Sequence, residues 1–254
     1  MKLFWLRVCL VAVLTVVPAA ASAQQSYRFA VDAKTSLAWW QIDPNYGHLW
    51  ATTCPDDLSW QPGEARSSGG NFNVKSRKQT VASASSSRER TVPLYPRTDV
   101  APVCRPAVRG EIVALDTISW RGTRGEIRIL PDSLVTGNDM RDRFSRKAVF
   151  ETSKFREIKF VIDSLANVQP GDTVRAVAVG TLELHGARVP AQAPVKVWRE
   201  RAGLRVQGQL QFPAQDLTRV YGFSKLALGM GVTLGRWNTV FMGLDAVLVP
   251  AATD

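Results

Sequence analysis

The side chains best suited to nucleophilic or metal chemistry are two histidines, His48 and His185, and three cysteines, Cys9, Cys54 and Cys104. Two histidines cannot make a multi-histidine metal centre within one chain. Three cysteines are too few for a four-cysteine zinc site or a dense disulfide framework. Cys54 follows His48 closely, and a thiol beside a base is a nucleophile once the two are within hydrogen-bond reach; spacing alone does not bring them there. Asp56-Asp57 and Asp139 with Asp142 are acidic pairs, but acid–base work needs a cleft around them, and turn and cap roles are the default. No Gly-x-Ser-x-Gly elbow, phosphate loop or His-Glu-x-x-His helix is present. Gly229-Met230-Gly231 looks like the start of a dinucleotide loop, but Gly235 comes one residue late and no βαβ pattern surrounds it. The chemistry thus reads as binding: no catalytic residue, metal or cofactor is assigned, and the chain is expected not to be an enzyme.

The cysteines are interpreted through compartment. Lys2 and Arg7 are followed by the apolar run Leu10 to Val17, a break at Pro18, and Ala21-Ser22-Ala23. That order predicts a secretory signal over residues 1–23, cleaved after Ala23, and a periplasmic or secreted product. The apolar run is shorter than the roughly 20 residues a spanning helix needs. Cys9 leaves with the signal, and in an oxidising compartment Cys54 and Cys104 are expected to pair. The bridge would close a loop of about 50 residues, for which chain entropy suggests roughly 4 kcal/mol.

The chain of 254 residues carries a formal charge of +10, with 45% hydrophobic and 21% charged residues. This excludes wholesale disorder and collagen-like repeats. The basic residues are spread along the chain and no RNA-binding aromatic motif appears, so nucleic acid is not the expected partner. Contact with an anionic membrane surface is the more economical use of the charge.

The elements that must position any site read as strands. In 203–212, Leu204, Val206, Leu210 and Phe212 share one face and Arg205, Gln207, Gln209 and Gln211 the other; a period of two with one wet face is an antiparallel strand. Strands are also predicted over 27–32 and 36–42 (two short ones or one interrupted), 111–118, 125–130, 157–163, 174–184, 194–199 and 237–249, with a turn at 185–192. A helix is predicted over 138–149, with Asn138 and Asp139 at its start. Eight to ten strands with one or two short helices make an all-β barrel or sandwich, which periodicity does not separate. Residues 53–105, rich in Pro, Gly and Ser, form a long inserted loop tied at its base by Cys54 and Cys104.

Eight Trp and ten Phe are many for this length. In a small closed barrel the interior is either filled or holds one elongated ligand. Trp39, Trp120, Phe160, Phe212 and Phe241 are candidates to line such a cavity, although for any one of them simple core packing is the plainer reading. Each buried methylene is worth about 0.8 kcal/mol, so a long apolar tail binds without a specific polar contact.

Three blocks carry a family resemblance: GEIVALDTIS with EIRILPDSLVTGNDMRD (110–142), RKAVFETSKFREIKFV (146–161) and VGTLELHGARVPAQAPVKV (179–197), preceded by YRFAVDAKTSLAWW. In this order they resemble the YceI-like, polyisoprenoid-binding family. Where that family often has His after its Arg-Asp pair, this chain has Arg143-Phe144; its usual Pro is Arg156 here, its later Thr is Ala187, and the 53–105 insertion is atypical. The resemblance implies a single domain over 24–254 forming an eight-stranded antiparallel, lipocalin-like barrel with an apolar lumen. It also implies an isoprenoid or similar long-chain amphiphilic lipid as ligand and a carrier or sequestering role. By charge and loop position Arg141, Arg143, His185 or Arg188 is expected to meet a polar head at the mouth, although for His185 a surface turn residue is the plainer reading, and Phe144 is expected near the ligand. The rival classes are a binding or adhesion module acting through the inserted loop and a secreted enzyme built around His48, Cys54 and Asp56.

Overall fold

The computed structural model describes residues 26–42, 49–53, 106–135, 139–201, 203–224 and 239–251. The signal segment, His48, Cys54, Cys104, the 53–105 insertion apart from Thr53 at its start, and Gly229 to Gly231 lie outside the described residues.

Ten strands are described in one antiparallel sheet: β1 (Tyr27–Val31), β2 (Leu37–Ile42), β3 (Leu49–Thr52), β4 (Val108–Ala114), β5 (Arg124–Ile129), β6 (Ile158–Gln169), β7 (Thr173–Leu184), β8 (Ala187–Glu200), β9 (Gly203–Pro213) and β10 (Thr239–Pro250). The order β1-β4-β5-β6-β7-β8-β9-β10 returns from β10 to β1, so eight strands close a barrel. β2 and β3 extend the same sheet from β10. Closure removes the free edges that make open sheets sticky.

The alternation seen in the sequence places the two faces. On β9, Val206, Gly208 and Leu210 face the bore, and on β10 Met242, Leu244, Ala246 and Leu248 do so. The outward Phe241 and Val247 of β10 are buried as well. On that outer face Arg205 joins Asp245 (Nε to Oδ1, 2.7 Å) and Glu200 (2.9 Å), while Gln207 donates to Asp245. Burial works against the Arg205 charge, but the Asp245 hydrogen bond and attraction, reinforced by Glu200, carry its pKa upward.

The first strand is interrupted, one of the two forms expected. Both pieces pair with β10: Phe29 with Pro250, and Leu37 with Asp245. Between them Asp32 accepts from Lys34 N and Thr35 Oγ1, and Ser36 Oγ accepts the amide of Val247. The break is therefore held by side-chain hydrogen bonds.

Two boundaries differ from the sequence reading. Residues 187–192, expected as part of a turn, continue β8, and only His185 and Gly186 form the turn. Pro190 argues for a loop, but β8 pairs with β7 throughout 187–198 and with β9 only from Val195. A strand unpaired on one side tolerates prolines, which have no amide to offer there. The predicted helix is α1 (Asp139–Phe144), followed by a wider π turn over Ser145–Val149. A second short helix, α2 (Asp216–Arg219), follows β9. No helix among the described residues is long and apolar enough to cross a membrane.

Candidate functional site

The bore follows from side-chain size. Ala178 on β7 pairs directly with Ala193 on β8, Gly208 on β9 lies next along the sheet, paired with Val195, and Ala246 on β10 pairs with Val206. Small residues on the inner faces of four adjacent strands leave the middle of the barrel unfilled. The result is a cavity of about 110 Å³, walled by aliphatic side chains such as Ile112, Ile127, Ile162, Leu182 and Leu244. Among the described residues, Thr123 and Gln209 are the polar side chains on the wall besides the Trp120 indole, and none of those lining it is charged. Such a chamber excludes ions, because burying an unpaired charge is prohibitive, and favours hydrocarbon.

Both ends of the chamber are closed. At the end where β4 turns into β5, Trp120 is only 5% exposed and packs with Ala114, Val174 and Val197. Its backbone is left-handed, φ 56°, held by Thr123 Oγ1 donating to the Trp120 carbonyl at 2.6 Å. Asp116 organises the same turn; hydrogen bonds from the Ser119 hydroxyl, the Ile118 amide and the Ser119 amide lower its pKa. The opposite end is the cap end, made by the two helices and the β7–β8 turn. There Trp40, Phe150 and Phe223 stack edge to face at 5.5 and 5.8 Å, leaving a cleft of only about 20 Å³.

His185 ties the cap together. It lies between Phe155 and Phe223, ring centroids 4.1 and 4.4 Å away. Its Nδ1 meets the Tyr221 carbonyl at 3.0 Å and its Nε2 the Glu151 carboxylate at 3.2 Å. The Glu151 pKa is lowered chiefly by the hydrogen bond from Lys154, with the attraction of Lys154 and His185 added, against a smaller effect of burial. Burial, with the Asp216 charge, raises the Tyr221 phenol. Arg141, also at the cap, has its pKa pulled down by burial against the attraction of Asp142.

The sequence-derived candidates separate into three groups. Trp120 and Phe160 line the chamber. Phe212 lines the small cleft at the cap, and Arg141, Phe144 and His185 belong to the cap itself, Phe144 exposed and His185 packed inside. Phe241 alternates with Met242 and so faces away from the bore. Trp39 borders the cleft, but its indole lies across Gly243, where any Cβ would strike the ring. The aliphatic and small residues of the chamber were missed. Their signal was the run of Ala and Gly at alternate positions, Ala176, Ala178 and Gly180; Gly180 also admits the backbone of Val161 at a distance no side chain would allow. Among the described residues no group of His, Cys, Asp and Glu is placed to hold a metal ion.

A family model described as the YceI-like domain matches residues 99–235. Among solved structures, BcnA of Burkholderia cenocepacia superposes with TM-score 0.54 at 12% identity, covering 88% of this chain and 99% of that one. A domain from Saccharophagus degradans, described as polyisoprenoid binding and implicated in plant cell wall breakdown, gives TM-score 0.49 at 15% identity, covering 88% of this chain and 98% of that one. None of the curated proteins compared with the chain matches it.

Proposed function

The chain belongs to the YceI-like domain family, and from that premise we propose that it is an exported protein that holds an isoprenoid or similar long-chain amphiphilic lipid in its barrel, as a carrier or sequestering protein. The observation that carries this reading is the chamber: it lies inside the barrel, is largely aliphatic, and has no charged side chain among its described lining residues. Apart from Trp120, Thr123 and Gln209 its described lining is hydrocarbon, which suits solvation of a lipid tail. Trp120 and Phe160 contact the bound chain. The basic, apolar, small-residue order at the start of the chain supports export, and export in turn supports a bridge between Cys54 and Cys104.

Native mass spectrometry of the protein purified from its own host tests this. The expected result is a population heavier than the apoprotein by the mass of one lipid, which denaturation releases. An empty chain that also takes up no prenol from vesicles overturns the reading. Mass mapping of the same sample, expected to find Cys54 linked to Cys104 and the chain starting at residue 24, checks export.

A further inference from the structure

The chamber poses a problem of access and of length. An apolar cavity of about 150 Å³ holds a molecule the size of benzene, so 110 Å³ accepts only a short stretch of chain. A long ligand must continue out of it. Trp120 closes one end, and Trp40, Phe150 and Phe223 fill the other. Among the described strands, β8 and β9 run on side by side beyond their paired stretch, so that seam is only half sewn. β8 and β9 pair from Val195 opposite Gly208 to Glu200 opposite Gly203. Continued in register, Ala193 would face Leu210 and Ala191 would face Phe212. β8 nevertheless runs from Ala187 to Pro194, and β9 from Gln209 to Pro213, without pairing to each other.

We propose that this unpaired stretch is a lateral portal, through which a lipid chain enters the chamber and from which the rest of a long ligand emerges. Four observations converge on it. Pro190 and Pro194 lie in the stretch of β8 that has no β9 partner, and neither has an amide proton to close the seam. Ala193, Gly208 and Leu210, which flank the point of separation, also line the chamber. The bore-facing residues along the slot, Val189, Ala191 and Phe212, are only half-buried, whereas Leu182 and Leu184 on the neighbouring β7 are fully buried. Finally, the lips carry the uncharged Gln192 and Gln211, both exposed, so a hydrocarbon passes without displacing an ion pair. The slot ends at the cap, where the Tyr221 carbonyl is tied to His185 at the foot of β8.

This inference rests on the lipid-binding reading, and the experiment separates the two. Transfer of a pyrene-labelled prenol from phosphatidylcholine vesicles is followed by stopped flow. Gln192→Cys with Gln211→Cys, in a chain whose native cysteines are replaced by Ser, receives a short bis-maleimide staple across the lips. The control staple joins Arg175→Cys to Lys196→Cys, a directly paired couple on the closed β7–β8 seam. The slot staple is expected to slow loading and release at least tenfold against the unstapled parent, and the control staple to change them less than twofold. Ala191→Trp, a wedge within the slot that needs no chemistry, is expected to act in the same direction. Unchanged rates in both the stapled and the wedged protein overturn the portal, as does a tenfold acceleration by Trp120→Ala, which would place the entrance at the β4–β5 end. No transfer to the unstapled parent instead overturns the lipid-binding reading itself.

Discussion

The chamber and the cap end obey the same alternation of inward and outward residues, yet one is hollow and the other solid. In the chamber the inward positions of β7 to β10 fall on Ala178, Ala193, Gly208 and Ala246. At the cap they fall on Leu184, Phe212 and Val240, and Trp40 from β2 meets Phe150, Leu217 and Phe223 brought in by the connecting segments. Interiors normally fill to crystal-like density. A void in the middle of a barrel is therefore a matter of residue size at specific levels, and the aromatic residues serve chiefly to close the ends. The aromatic count suggested a greasy bore; the small residues actually made it.

The comparison breaks most sharply under truncation. Phe150 is 7% exposed and packed on Trp40 and Phe223, so Phe150→Ala leaves a new hole and is expected to destabilise by about 3–5 kcal/mol. Phe160 borders a space that already exists and is only partly buried, so Phe160→Ala is expected to lose less than half as much while weakening lipid retention. Urea melts of the two variants, with and without ligand, check both statements. Equal losses would mean that chamber and cap are packed alike.

Enlargement sharpens the contrast from the other side. Ala214 is fully buried within the cap cluster, and Ala214→Leu is expected to cost about 1–3 kcal/mol through overpacking. Ala178 faces the chamber, where the added side chain has room. Ala178→Leu is expected to keep or raise the urea midpoint and to lower the amount of prenol bound. A destabilised Ala178→Leu with full uptake would show that the chamber is not where the lipid sits.

These contrasts mark how far the sequence could be read. The period-two pattern of Leu204, Val206, Leu210 and Phe212 located β9 to within a residue, because one wet face leaves an unambiguous imprint. The run 187–192 does not read as strand because a proline within it usually signals a loop, and only the missing partner on one side makes Pro190 compatible with a strand. The choice between barrel and sandwich came from the family resemblance, since closure depends on which distant strands meet: β10 with β1 is a contact of more than 200 positions' separation, Phe29 opposite Pro250. Within the candidate site, Trp120 and Phe160 were legible as large apolar residues in strand-rich segments. Trp39 and Phe241 were not separable from them, because β2 and β10 are apolar on both faces and the alternation that assigns a side is erased.

The smallest predicted effect concerns the tie that holds the cap shut. Glu151 sits at φ 45° between Lys154 and the His185 Nε2, and its pKa lies below the usual carboxylate value, first because of the Lys154 hydrogen bond. A carboxylate with a depressed folded-state pKa contributes stability at pH values above its unfolded pKa, and that contribution is lost as pH falls through the depressed value. Glu151→Gln is therefore expected to lower the urea midpoint slightly at neutral pH, with the difference from the parent shrinking to nothing once both folded and unfolded carboxylates are protonated. Lys154 is exposed and its partnership screened by salt, so the neutral-pH difference should also shrink as ionic strength rises. Trp120→Phe, at the other end of the bore and far from any titrating partner of Glu151, is expected to show no such pH-dependent difference. If it did, the acid response would belong to the barrel as a whole and not to the His185 tie.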